Sequence, residues 1–111
     1  MDRDLRELTW ERSKGYCEHC GKPLDPEGWH WSHRKGKAQG GIYHIQNGLA
    51  TTPHCHLVKI TNHPKIAMQN GWMVSRQDNP ADIPVNLYGS ILVYLTEDGG
   101  YRDPRGGLIR L

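Results

Sequence analysis

Residues 28–77 read GWHWSHRKGKAQGGIYHIQNGLATTPHCHLVKITNHPKIAMQNGWMVSRQ, a stretch with no Asp and no Glu that holds six of the seven histidines and six Lys or Arg residues. All 12 acidic residues lie outside it, seven before and five after, so a local charge of about +6 sits in a chain whose total is +2. That arrangement suits a surface that meets phosphates while imidazoles bind a metal or move protons. Within the stretch, 13 residues separate His33 from Asn47 and eight separate Asn47 from His56.

The local pattern gives these residues their settings. Trp29, Trp31 and His33 alternate with His30 and Ser32, which predicts a short strand. Arg34 to Gly41 is a basic, Gly-rich loop, followed by Asn47 and a second strand around Leu49–Thr52. Pro53 stands where a helix begins, with Thr52 as N-cap, and that helix runs to about Ile60. A further short helix is expected over Asn62 to Asn70, with Asn62 as N-cap, Pro64 in its first turn and Gly71 as C′. Trp72–Ser75 reads as a strand, with Trp72 and Val74 in the core.

Outward from there, Asp2 to Lys14 predicts an amphipathic helix around Leu5, Leu8 and Trp10 that covers the core and ends at Gly15. A Cys17–Gly21 knuckle and a Pro23–Gly28 loop follow. On the other side, Gln77–Pro84 is a loop, Tyr88–Thr96 a strand, and Asp98-Gly99-Gly100 a hairpin turn before Tyr101. The tail after Pro104 is expected to be a mobile end.

At 111 residues one domain is expected, with a core over about 15–76, an N-terminal helix over 2–14 and a C-terminal extension over 77–111. Apolar residues make only 36% and Phe is absent, so the aliphatic core is thin and a structural metal would help it. The near-balanced charge argues against disorder. The start, MDRDLRELTW, has no apolar h-region, and the longest apolar run, Ile91 to Leu95, is too short for a bilayer. An intracellular protein without membrane partners is the expectation. Three cysteines form an odd set opening with Cys17-x-x-Cys20, which in that setting reads as metal ligation before disulfide.

Taken together, Ser32-His33-Arg34, Gly40-Gly41, Asn47, Cys55-His56, His63-Pro64 and Gly71-Trp72-Met73-Val74 resemble the motif of HNH endonucleases, most closely the small stand-alone type common in phage genomes. The likeness spans roughly Cys17 to Ser75, and Pro84-Val85 and Leu95 to Gly100 also resemble the tail of such phage proteins. The resemblance implies an α+β fold with a ββα-metal, treble-clef-like core, a zinc knuckle, a flanking N-terminal helix and a C-terminal β-hairpin. It implies a metal-dependent endonuclease that hydrolyses phosphodiesters of double-stranded DNA. His33 would be the general base that activates water, Asn47 would pin the loop and orient His33, and His56 would hold a divalent ion that stabilises the leaving oxygen. Arg34, Lys35 and Lys37 would contact DNA phosphates, Arg34 the scissile one.

The chain departs from that family pattern at two positions. Ser32 stands where many members carry a second metal ligand, leaving His63, His54 or His30 as candidates to complete the shell. With one or two protein ligands and several waters, Mg²⁺ or Mn²⁺ is the expected ion, and a His-rich site also admits Ni²⁺ or Zn²⁺. At the knuckle, Cys17, Cys20 and Cys55 fit a structural Zn²⁺, but the fourth position is Thr52, whose hydroxyl is a poor zinc ligand, and His54 could substitute only if the loop bends, so the fourth ligand is open. The alternative function is a non-catalytic zinc-knuckle module that binds DNA without cutting. Likeness to phage proteins also points to packaging beside a terminase, in the host cytoplasm if the chain is phage-encoded.

Overall fold

The strand pattern around the histidines forms an antiparallel pair. β1 (His30–His33) faces β2 (Gly48–Thr51), with His30 opposite Thr51 and His33 opposite Gly48. Gly48 is required there, because a Cβ at that position would come within 2.0 Å of the Trp31 ring. The computed structural model describes residues 4–109.

After β2 the chain turns into a helix at Pro53, and over Cys55–Ile60 it is wound wide, as a π-helix. The wide winding is visible in the Thr61 N–H, which donates to His56 O five residues back at 3.0 Å. Thr52 caps the start, its Oγ1 accepting the Cys55 N–H at 3.0 Å. The next helix, α2 (Pro64–Gln69), follows α1 (Leu5–Ser13) in the numbering used here. His63, not Asn62, is the residue at the N-cap of α2, and it caps through no side-chain bond. Asn70 closes α2, and Gly71 follows with φ 73°.

α1 is capped by Asp4, whose carboxylate accepts the Arg6 N–H at 2.7 Å. The expectation that Leu5, Leu8 and Trp10 seat this helix needs correction. They are only partly buried, while Thr9, Arg12 and Ser13 form the buried face. The reason is a polar lock. Arg12 grips Glu18 with two bonds, Nε to Oε2 at 2.8 Å and Nη2 to Oε1 at 2.7 Å, and both side chains are wholly buried. Further bonds surround the pair: Arg12 donates to the carbonyls of Ile45 and Gly48, and Glu18 accepts from Ala50 N–H and Tyr101 O–H. Burying such a pair is tolerable only when further hydrogen bonds compensate its desolvation.

Trp72–Ser75 is not a strand; it forms bends, tied down by the Val74 N–H donating to Arg34 O at 2.8 Å. Trp72 and Val74 are nonetheless buried, and the Trp72 indole N–H donates to Asn86 O at 2.8 Å. The C-terminal part holds more than one hairpin. β3 (Val85–Leu87), β4 (Ile91–Leu95), β5 (Tyr101–Arg102) and β6 (Leu108–Ile109) form one antiparallel sheet in chain order. The expected strand from Tyr88 starts later, because Tyr88 and Gly89 both take positive φ in the turn closed by Ser90 N–H to Leu87 O. The tail is not loose either, since Leu108 and Ile109 pair with Arg102 and Tyr101.

This sheet supplies the larger apolar core. Val85, Leu87, Val93, Leu95 and Tyr101 bury against Leu49, Ile60, Ala67 and Trp72. A smaller cluster of Cys17, Leu24, Trp29, Ala50 and Cys55 lies under the knuckle. The architecture is α+β, with two antiparallel sheets and a few short helices. Among the described residues no helix is long and apolar enough to cross a membrane.

Candidate functional site

β1 and the wide-wound helix bring three imidazoles to one cleft of about 420 Å³, lined by His30, His33 and His56 with Trp31 and Tyr43. His30 Nδ1 lies 3.0 Å from His56 Nδ1, with the two rings nearly perpendicular. His33 is held between aromatic edges, its ring centroid 4.8 Å from Trp31 and 4.7 Å from Tyr43, both near a T-shaped approach. Its Nε2 is buried and has no hydrogen-bond partner among the protein atoms. A shielded ring nitrogen with an unused valence is the kind of atom that takes or gives a proton to a bound molecule.

Burial favours neutral rings at His33 and His56. Burial, then the Lys37 ammonium, holds His33 below the ordinary histidine range. Burial, then His30 and His33, does the same for His56. Neutral rings are what metal ligation and general-base work both need.

Asn47 is buried and occupied entirely with the loop after β1. Its Oδ1 accepts the Lys35 N–H at 2.7 Å, and its Nδ2 donates to Lys35 O at 3.0 Å and to Ile42 O at 2.9 Å. The loop closes tightly on itself, so that a Cβ at Gly41 would sit 1.7 Å from Lys35 O. Asn47 thereby fixes the backbone that leaves His33, and also the segment that carries Tyr43.

Arg34 does not face phosphate, a correction to its expected role. It is 1% exposed, and its guanidinium donates to four carbonyls: Nε to Gly71, Nη1 to Gln46 and Pro80, and Nη2 to Ile83, at 2.7–2.9 Å. Burial and the like charge of Arg12 drop its pKa to about 9, which still leaves it protonated at neutral pH. Arg34 therefore staples the loop, the Gly71 turn and the segment before β3. Of the two lysines, Lys35 reaches Asp78 O with its Nζ at 3.0 Å, and exposed Lys37 lies 4.7 Å over the Tyr43 ring.

Ser32 is fully buried with an unpartnered Oγ, and it is not among the residues lining the cleft. His54 and His63 are exposed and do not line the cleft either, so only His30 of the three additional candidates meets His56. A larger cavity of about 520 Å³ lies on the other side of the loop, bordered by Lys35, His44, Asn47, Asp78 and Glu97. It contains none of the cleft histidines.

The second gathering of ligands is the knuckle. The sulfurs of Cys17, Cys20 and Cys55 all lie within 4.8 Å of one another, close to the roughly 3.8 Å separation of thiolates around a tetrahedral Zn²⁺. The donor set fits that ion. Thr52 stands beside it, its Oγ1 accepting the Cys55 N–H at 3.0 Å. Burial, above all, raises Cys17 and pushes Cys55 up to about 12. For Cys20 burial also works upward but is outweighed, chiefly by the Lys22 N–H and the neighbouring thiols, so it falls. His54 does not join this group of ligand atoms.

No family model matches the chain, and neither a curated protein nor a solved structure does. The two gatherings of ligands are a three-thiol cluster compatible with a zinc site and an open histidine cleft.

Proposed function

We propose that the protein is a metal-dependent DNA endonuclease with an HNH-type, ββα-metal centre. The observation that carries the reading is the cleft shared by His33 and His56. Phosphodiester hydrolysis needs a base for water and a cation at the departing oxygen. His33, neutral and unpaired, supplies the first. His56 would hold a divalent ion, which when bound offsets negative charge on the leaving oxygen. Asn47 keeps the loop rigid behind His33, and Lys37 adds positive charge beside it. A structural Zn²⁺ at Cys17, Cys20 and Cys55 would clamp the knuckle to the start of the wide-wound helix.

The deciding experiment is supercoiled plasmid incubated with Mg²⁺, Mn²⁺ or Ni²⁺, comparing the parent with His33→Ala. Nicked or linear product is expected from the parent, with a loss of ~10²–10⁴-fold in the variant. A second reading, DNA binding without cleavage, is favoured by buried Ser32 and by the withdrawal of Arg34 from the surface. It predicts salt-sensitive binding and no product with any ion.

A further inference from the structure

We propose that His30 and His56 act as a bidentate pair, holding the cation of the cleft through their two Nδ1 atoms, and that the pair makes this a transition-metal site in preference to a Mg²⁺ site. The inference rests on the nuclease reading only for the role of the ion; the ligand pair itself stands on geometry. His30 opens β1, and His56 lies one residue into the Cys55–Ile60 helix, so the sheet and the capped helix fix both backbones independently. Their Nδ1 atoms are 3.0 Å apart. Two adjacent ligands at the usual metal–imidazole distance are separated by roughly 2.9–3.4 Å, depending on the angle at the metal. The pair therefore has the required bite with no backbone movement.

Two Nδ1 atoms this close cannot both present bare lone pairs to each other. Something positive must lie between them, either a proton on one ring or a cation shared by both. The perpendicular rings allow either arrangement. No third His, Cys, Asp or Glu comes near enough to complete a cage among the described residues. The remaining positions on the ion stay open to water and to a phosphate oxygen, which is the form of a catalytic site. Imidazole suits Ni²⁺, Zn²⁺ and related ions, whereas Mg²⁺ prefers oxygen and keeps its waters. Buried Ser32 contributes nothing to the shell, and His30 takes the place that Ser32 cannot fill.

The test is Ni²⁺ titration by calorimetry, without DNA, on full-length protein whose thiols are already zinc-loaded. Parent, His30→Ala, His56→Ala and the control His63→Ala are compared. Loss of either ring should weaken Ni²⁺ binding about tenfold or more, since even outer partners of a ligand cost ~10–100-fold. His63→Ala should bind as the parent does, and Mg²⁺ should bind every form more weakly than Ni²⁺. Parent-like Ni²⁺ affinity in His30→Ala would overturn the pair. Should that variant misfold, ring-nitrogen NMR of the parent decides: Ni²⁺ must broaden His30 and His56 at lower concentration than His44, His54 and His63. Uniform broadening rejects the proposal. Plasmid cleavage on the same samples separates the two readings. Nicking that needs His33 but ignores His30 removes the pair and leaves the nuclease, while paired Ni²⁺ binding without cleavage does the reverse.

Discussion

The knuckle and the cleft both gather metal-ligating side chains, yet they are built in opposite ways. At the knuckle Cys17 and Cys55 are buried while Cys20 is exposed, Thr52 Oγ1 accepts the Cys55 N–H, and the adjacent Arg12–Glu18–Tyr101 network is tied by buried hydrogen bonds, although the buried Nδ1 of His19 has no protein partner. In the cleft the imidazoles are half-buried, one ring nitrogen has no protein partner, and two others meet only each other. Thiolates suit a structural Zn²⁺, whereas imidazoles in an open cleft leave room for water and substrate. On the proposed function, stability belongs to the first corner and chemistry to the second.

The largest effect should come from the thiols. A Zn²⁺ held there converts on the order of 10 kcal/mol of metal affinity into folding stability. That is comparable with the whole stability of a domain this size, about 5–15 kcal/mol. Cys17→Ser or strong chelation should therefore unfold most of the protein at ambient temperature, as read by calorimetric melting. Thr52→Cys, which adds a fourth thiol, should make the fold resist a chelator that strips the parent. An unchanged melting temperature in Cys17→Ser would dissolve the contrast at its strongest point.

A smaller loss is expected from the lock beside it. Glu18→Gln leaves the Arg12 guanidinium buried without its countercharge, which typically costs about 3–5 kcal/mol. Urea unfolding should show that loss in full. Single-turnover cleavage by the folded fraction should stay near the parental rate, because Glu18 lies on the knuckle side and does not line the cleft. A rate that fell in step with stability would mean that the two corners are not separable.

How much of this division the amino-acid pattern reveals depends on the kind of interaction. Period-two alternation placed β1 within a residue, and Thr52-Pro53 marked the helix start, because both signals are local. Cys-x-x-Cys pointed to Cys17 and Cys20 as a ligand pair, and Cys55, 35 positions beyond Cys20 and joined to them only by the family resemblance, converges on both. The network of Arg12, Glu18 and Tyr101 was illegible, since its partners lie 6 and 83 residues apart and each looks like an ordinary solvated side chain. Arg34 misled for the opposite reason. A basic loop suggests phosphate, but four carbonyls from distant turns converge on that one guanidinium, and no local pattern encodes them. The short strands β3 and β6 were hidden because two or three residues carry almost no periodic signal, and their pairing is decided by the sheet.

The smallest effect concerns pH, and it probes the cleft alone. The base must be neutral to take a proton, so cleavage should rise with pH along a limb set by His33. Its pKa is depressed by burial and then by Lys37, which puts the midpoint below the ordinary value of about 6.5. The sign for stability agrees. A histidine whose folded pKa is lowered binds fewer protons than in the unfolded chain, so its contribution is whole above ~6.5 and is lost as pH falls through the folded pKa. Lys37→Ala removes the lesser of the two causes. The midpoint, measured in single turnovers at saturating DNA, should move up yet stay below the ordinary value, because burial remains. A cation held at His56 pushes the limb in the same downward direction as Lys37, so the comparison is made at one fixed metal concentration. If the limb stays still or moves down, Lys37 is not felt through the Tyr43 stack at His33, and the aromatic wall between them is packing alone.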